Sequence, residues 1–111
     1  MPLVTEAMLN AAFDYLNEQG ESAAQARADL VIAEYRRKKA RAAIILASRE
    51  RTITLREAEA ECHPDVYEAS MVEAEATKAV EWHRHQRSRA EAIIEAWRTQ
   101  EATVRGLARA G

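Results

Sequence analysis

Five cationic side chains fall within six residues of this chain: Arg36, Arg37, Lys38, Lys39 and Arg41. On a helix such a run spreads around most of the circumference, so two or three of its members project outward together. An outward cationic array suits phosphate, because each neutralised phosphate releases condensed counterions. Tyr35 directly precedes the run, and its flat ring can stack on an unpaired base. Arg49, Arg51 and Arg56 follow in and just after an expected loop. The competing reading is a solvated face whose charges pair with Glu34 and with the acidic stretch downstream.

The other reactive side chains are poorly spaced for chemistry. Cys62 and His63 are neighbours, and His83 and His85 lie two apart, so on a helix that pair points in different directions. There is no CxxC or HxxxH spacing, and no metal or other cofactor is expected. Ser22, Ser48, Ser70 and Ser88 lie outside any G-x-S-x-G elbow, and no glycine-rich phosphate loop occurs. Glu73 and Glu75 cannot share a helix face. Nothing here sets up a catalytic site, so the expected activity is binding, not catalysis.

These residues must be held by helices. The only glycines besides the last residue are Gly20 and Gly106, and the only prolines are Pro2 and Pro64. Ala, Glu, Arg and Leu dominate, and these favour helix. The first helix is predicted after Thr5, an N-cap residue, and should end near Gln19 with Gly20 as a left-handed C-cap. Leu9, Phe13 and Leu16 form its expected apolar face. Ser22 and Gln25 make a capping-box pattern for a second helix from about residue 23 to about residue 49. Val31, Tyr35, Lys38, Ala42 and Ile45 trace its expected stripe, widened by Ile32, Ala43 and Leu46.

Residues 49–54 break that pattern. Thr54 and Glu57 suggest a capping box for a short third helix, about 55–61. His63 precedes Pro64, which disfavours helix at 63 and suits the first turn of a new one. Asp65 and Glu68 then lie where the helix dipole favours carboxylates. The last helix is predicted from Pro64 to about Arg105, and at ~1.5 Å per residue it would span roughly 60 Å. Its heptad register reads Val66, Ala69, Glu73, Ala76, Val80, His83, Arg87, Ala90, Ile94, Trp97, Glu101 and Val104. The two ends are apolar and the waist is polar, which suggests a kink or register shift near His83. Ile93, Ile94 and Trp97, with Arg98 beside them, are candidate anchors for self-assembly.

The expectation is therefore an all-α protein of one small domain: a helical part, 1–62, with the basic helix, and a long C-terminal helix, 63–111, that packs in an oligomer. A chain of 111 residues with one Phe and two Trp has few large side chains to bury, so part of its core should lie between subunits. The net charge of -2 conceals blocks of -5 over 1–35, +7 over 36–56, -7 over 57–81 and +3 over 82–111. A single cysteine permits no intrachain disulfide and fits a cytoplasmic setting. The N-terminus does not read as a signal peptide, and no run of residues is apolar enough for a membrane span.

The order of parts resembles a known family. A basic helix, a short middle helix capped by Thr and a long last helix ending in Trp-Arg are similar to the UvsY-type recombination mediators of bacteriophages. Lys39-Ala40-Arg41 resembles that family's basic Lys-Ala-Arg motif, and Ile93-Ile94-Glu95-Ala96-Trp97-Arg98 resembles its closing segment. The resemblance covers about residues 28–106 as a pattern of elements, not as continuous identity. It implies a non-catalytic protein that binds single-stranded DNA, forms a ring-like homo-oligomer through its C-terminal helix, and helps load a RecA-like recombinase onto strands covered by single-strand-binding protein. If phage-encoded, it would act in the bacterial host cytoplasm. The implied DNA-binding residues are Lys39 and Arg41, assisted by Arg36, Arg37, Lys38 and Tyr35. The rival reading is a structural scaffolding or adaptor oligomer of a phage that does not touch DNA. A transcriptional regulator fits less well, because residues 54–62 are acidic where a recognition helix would be needed.

Overall fold

The computed structural model describes residues 3–110 and contains four helices: α1, Glu6–Glu18; α2, Gly20–Ala47; α3, Ile53–Glu61; and α4, Pro64–Ala110. No strand occurs among the described residues. The protein is all-α with a long C-terminal helix, as its composition predicts.

Local chemistry sets the boundaries. The Thr5 hydroxyl accepts from the Met8 amide at 3.2 Å and caps α1. Gly20 does not terminate that helix in the left-handed conformation, since no described residue has a positive φ. Gln19 alone joins α1 to α2. Its amide donates to Tyr15 at 3.0 Å, and its carbonyl accepts from Ala23 at 2.9 Å. A glycine here is tolerated as the first residue of α2, and the Ser22–Gln25 capping box does not form. Gln25 instead donates to Asp29 one turn on, at 2.8 Å.

α3 starts two residues earlier than the Thr54 pattern suggests. Thr52, not Thr54, adopts extended backbone and accepts from the Leu55 amide at 3.2 Å. Pro64 opens α4 as predicted. His63 caps it through its ring: Nδ1 accepts from the Asp65 amide at 3.1 Å, and its carbonyl accepts from Tyr67 at 3.1 Å.

The chain divides into two compact units. One joins the N-terminal residues through Ala23 to everything from Trp82 onward, and the other is Ala24–Glu81. In the first unit α1 lies on the C-terminal part of α4. Val4 and Gln100 exchange two hydrogen bonds, from the Val4 amide at 3.0 Å and to its carbonyl at 3.1 Å. The Tyr15 hydroxyl donates to the His83 carbonyl at 3.0 Å and lies 3.1 Å from the His83 ring nitrogen Nδ1. Trp82 meets the His83 ring edge-on at 4.9 Å. Ala12 is buried and Leu9 and Leu16 are half-buried, but Phe13 is exposed, because the covered face is centred one position away from the predicted stripe.

The second unit packs α2, α3 and the first part of α4. Its buried side chains are Ala26, Ala33, Ala60, Val66 and Val80. Small side chains let helices approach closely but remove little apolar area from water. Large residues are left outside: Val31, Ile32, Tyr35, Leu46, Ile53, Tyr67, Met71 and Val72 are all exposed.

α4 is one uninterrupted helix. In the second unit its covered positions include Val66, Ala69, Glu73, Ala76 and Val80, on the predicted heptad, together with Ser70 beside it. In the first unit His83 keeps that register, but Gln86 is covered in place of Arg87. Arg87 is exposed and pairs with Glu91 one turn on, at 3.1 Å. Beyond it Ala90, Ile94, Trp97 and Glu101 are covered again on the predicted heptad, joined by Ile93 and Gln100. The polar waist is filled from other helices, Glu73 by Arg37 and His83 by Tyr15.

Candidate nucleic-acid interface

The basic run lies in the middle of α2, within the second unit. Its five charges divide by their position around the helix. Ala26, Leu30, Ala33, Arg37, Ala40 and Ile44 are buried or half-buried at alternating spacings of four and three, and they form the inward face. Arg37 belongs to this inner seam and is ion-paired with Glu73 of α4, the two side chains being 32% and 22% exposed. Arg41 is one turn further along and pairs with Glu61 of α3 at 2.9 Å.

The remaining members face outward. Tyr35 is 64% exposed, and Arg36, Lys38 and Lys39 are exposed too. Among the described residues these three cations make no ion pair. At 100° per residue, Tyr35 and Lys39 lie opposite Arg37, and Arg36 and Lys38 lie at the two edges of that side. Val31 and Ile32 precede them on that side, and Ala42 and Leu46 follow.

The stripe traced in the sequence thus lies on the solvent side of α2 at Val31, Tyr35, Lys38 and Ala42, with Ile45 half-buried. Val31 is 65% exposed and Leu46 is 85% exposed. Choosing the buried face by size of apolar side chain misleads here, because alanines fill the seam. Counting Ala26, Ala33 and Ala40 as core residues would have located the inner face and, with it, Arg37.

The loop after α2 adds exposed Arg49 and Arg51. Arg56 is partly withdrawn and donates to the Glu50 carbonyl at 2.9 Å. The Ser48 hydroxyl donates to Glu59, and its oxygen accepts from the Glu50 amide at 3.2 Å, which ties the end of α2 to α3.

The candidate oligomerisation residues belong to the first unit. Ile93, Ile94 and Trp97 are half-buried, on the same stripe of α4 as Ala90 and Gln100, and that stripe faces α1. Arg98 is exposed and lies 3.7 Å from Glu95. Residues 102–110 of α4 are exposed throughout, including Val104 and Leu107.

A shallow groove between α1 and α4 is bordered by Met8, Tyr15, Gln86, Arg89 and Ile93, and it contains no carboxylate, imidazole, thiol or serine hydroxyl. Among the described residues no three His, Cys, Asp or Glu side chains come together to hold a metal ion. No described helix is long and apolar enough to cross a membrane.

No protein family, no curated protein and no solved structure matches the chain.

Proposed function

We propose that this chain is a non-catalytic accessory protein that binds single-stranded DNA along the outward face of α2, and that it serves as a recombination mediator helping to load a RecA-like recombinase. One observation carries the nucleic-acid reading: Tyr35 and Lys39 share a solvent face, flanked by Arg36 and Lys38, with the cations free of ion pairs among the described residues. Single strands are bound where cations track the backbone and an aromatic ring offers a surface to unstacked bases. The recombinase-loading role rests on the resemblance of Lys39-Ala40-Arg41 and the Trp97-Arg98 segment to the phage mediators. In this reading Arg37 and Arg41 contribute less than their outward neighbours, since each is engaged by a carboxylate of its own chain.

Salt-dependent binding of a fluorescent oligothymidine tests the proposal. Affinity should fall as salt rises. Changing Lys38 and Lys39 together to Ala should weaken binding and flatten the dependence, by about 0.7 in slope for each phosphate that is no longer neutralised. Equal affinity of the double variant and the wild type would exclude this face.

The rival reading is a helical scaffold that binds no nucleic acid. It is favoured by the large apolar side chains Val31, Ile32 and Leu46 on the same outward face. Absence of any binding to single strands, together with self-assembly, would decide for it.

A further inference from the structure

The second unit exposes two faces of unlike charge. On α2 the outward ridge runs Val31, Ile32, Tyr35, Lys38, Lys39, Ala42 and Leu46, apolar at both ends and basic in the middle. On α4 the outward ridge includes Tyr67, Glu68, Met71, Val72 and Glu75, a row of apolar side chains with carboxylates among them, and ends at Lys78. Exposed apolar ridges on small helical proteins mark interaction surfaces more often than inert ones. Here each ridge has the complement of the other. Lys38 and Lys39 suit Glu68 and Glu75, and the apolar members of both can interleave as helix ridges do.

The two ridges cannot meet within one chain. The inward sides of α2 and α4 face each other through Arg37 and Glu73, so the outward sides point away from each other. A contact between them must join different copies, and it joins unlike surfaces. It is therefore head-to-tail, and repetition closes a ring or grows a filament.

We propose that the α2 ridge of one copy is covered by the α4 ridge around Met71 of the next copy, so that in the absence of nucleic acid the copies assemble through their second units, and that a single strand competes with the neighbouring copy for Lys38 and Lys39. The competition rests on the proposed DNA binding; the assembly does not. Strand binding then exposes the α4 ridge and loosens the contact between copies.

The experiment pairs two readouts on the full chain, mass by sedimentation and oligothymidine affinity by fluorescence anisotropy, for wild type and for the variant Met71→Lys with Glu75→Lys. Both sites are exposed positions of α4 outside the proposed strand-binding face, and circular dichroism checks that the variant remains helical. The expected result is a wild type that assembles on the order of tens of micromolar or below, a variant at least about tenfold weaker in assembly, and tighter strand binding by the variant. Added oligothymidine should lower the mass of wild-type assemblies beyond the mass of the strand it brings. A monomeric wild type in that range overturns the head-to-tail contact, as does a variant that assembles as well as wild type. Assembly weakened in the variant with strand affinity unchanged upholds the contact and overturns the competition. If neither protein binds oligothymidine, the DNA-binding reading and the competition both fail, while the mass readout still decides the contact.

Discussion

The Tyr15 hydroxyl gives its one proton to the backbone carbonyl of His83, 3.0 Å away, so its oxygen is left to accept at the His83 ring nitrogen Nδ1, 3.1 Å away. Neutral His83 satisfies both contacts at once with its proton on Nδ1. His63 shows the opposite arrangement. Its Nδ1 accepts from the Asp65 amide at 3.1 Å, so neutral His63 carries its proton on Nε2. A proton–nitrogen correlation spectrum of the side chains, recorded with the imidazoles neutral, should show opposite tautomers for these two histidines. Tyr15→Phe should cost about 1 kcal/mol in urea unfolding and release the His83 tautomer preference. An unchanged His83 spectrum in that variant would rule out the hydroxyl as the orienting group.

Glu73 holds Arg37 across the α2–α4 seam, with both side chains mostly shielded. Glu73→Ala strands a guanidinium in a partly covered site and should destabilise by about 1–3 kcal/mol, between the values for exposed and buried pairs. The variant with both Arg37→Met and Glu73→Leu should recover most of that loss. A double-mutant cycle reports the coupling directly, and a coupling near zero would show the pair to be incidental.

Ala33 is 3% exposed and marks the closest part of the inner seam of α2. Ala33→Leu should lower stability by about 1–3 kcal/mol through overpacking. An enlargement two positions earlier, Val31→Leu, should stay within about 0.5 kcal/mol, since Val31 is 65% exposed. Thermal melts of the two variants distinguish this inner face from the stripe of larger apolar residues; the reverse order would make that stripe the buried side.

Arg41 and Lys39 differ in commitment although they are two residues apart. Arg41 is bound to Glu61 at 2.9 Å, and Lys39 is unpaired and exposed. Lys39→Ala should weaken oligothymidine binding more than Arg41→Ala does. Arg41→Ala should instead lower stability slightly, by about 0–1 kcal/mol for an exposed pair. Anisotropy and urea titrations of the two single variants measure both effects, and equal losses of affinity would place Arg41 on the strand as well.

The sequence by itself determined the helical class, the capping at Thr5, the break before α3, the start of α4 at Pro64 and its first heptads, because helix propensity, caps and proline act within a few residues of chain. It also announced a shortage of large side chains for a core, and among the described residues the buried set is Ala and Val alone. Which side of α2 faces inward was not decided locally. Its apolar residues are distributed almost around the helix, so periodicity offers two stripes, and only packing against α3 and α4 selects the alanine one. That choice turns Arg37 and Arg41 toward Glu73 and Glu61 and leaves Tyr35, Lys38 and Lys39 outside. The partners of Glu73 and His83 were equally hidden, since they lie 36 and 68 residues away in the chain. Long-range pairs of this kind exist only once tertiary structure brings the helices together, and they convert what reads as a polar waist in α4 into two satisfied contacts.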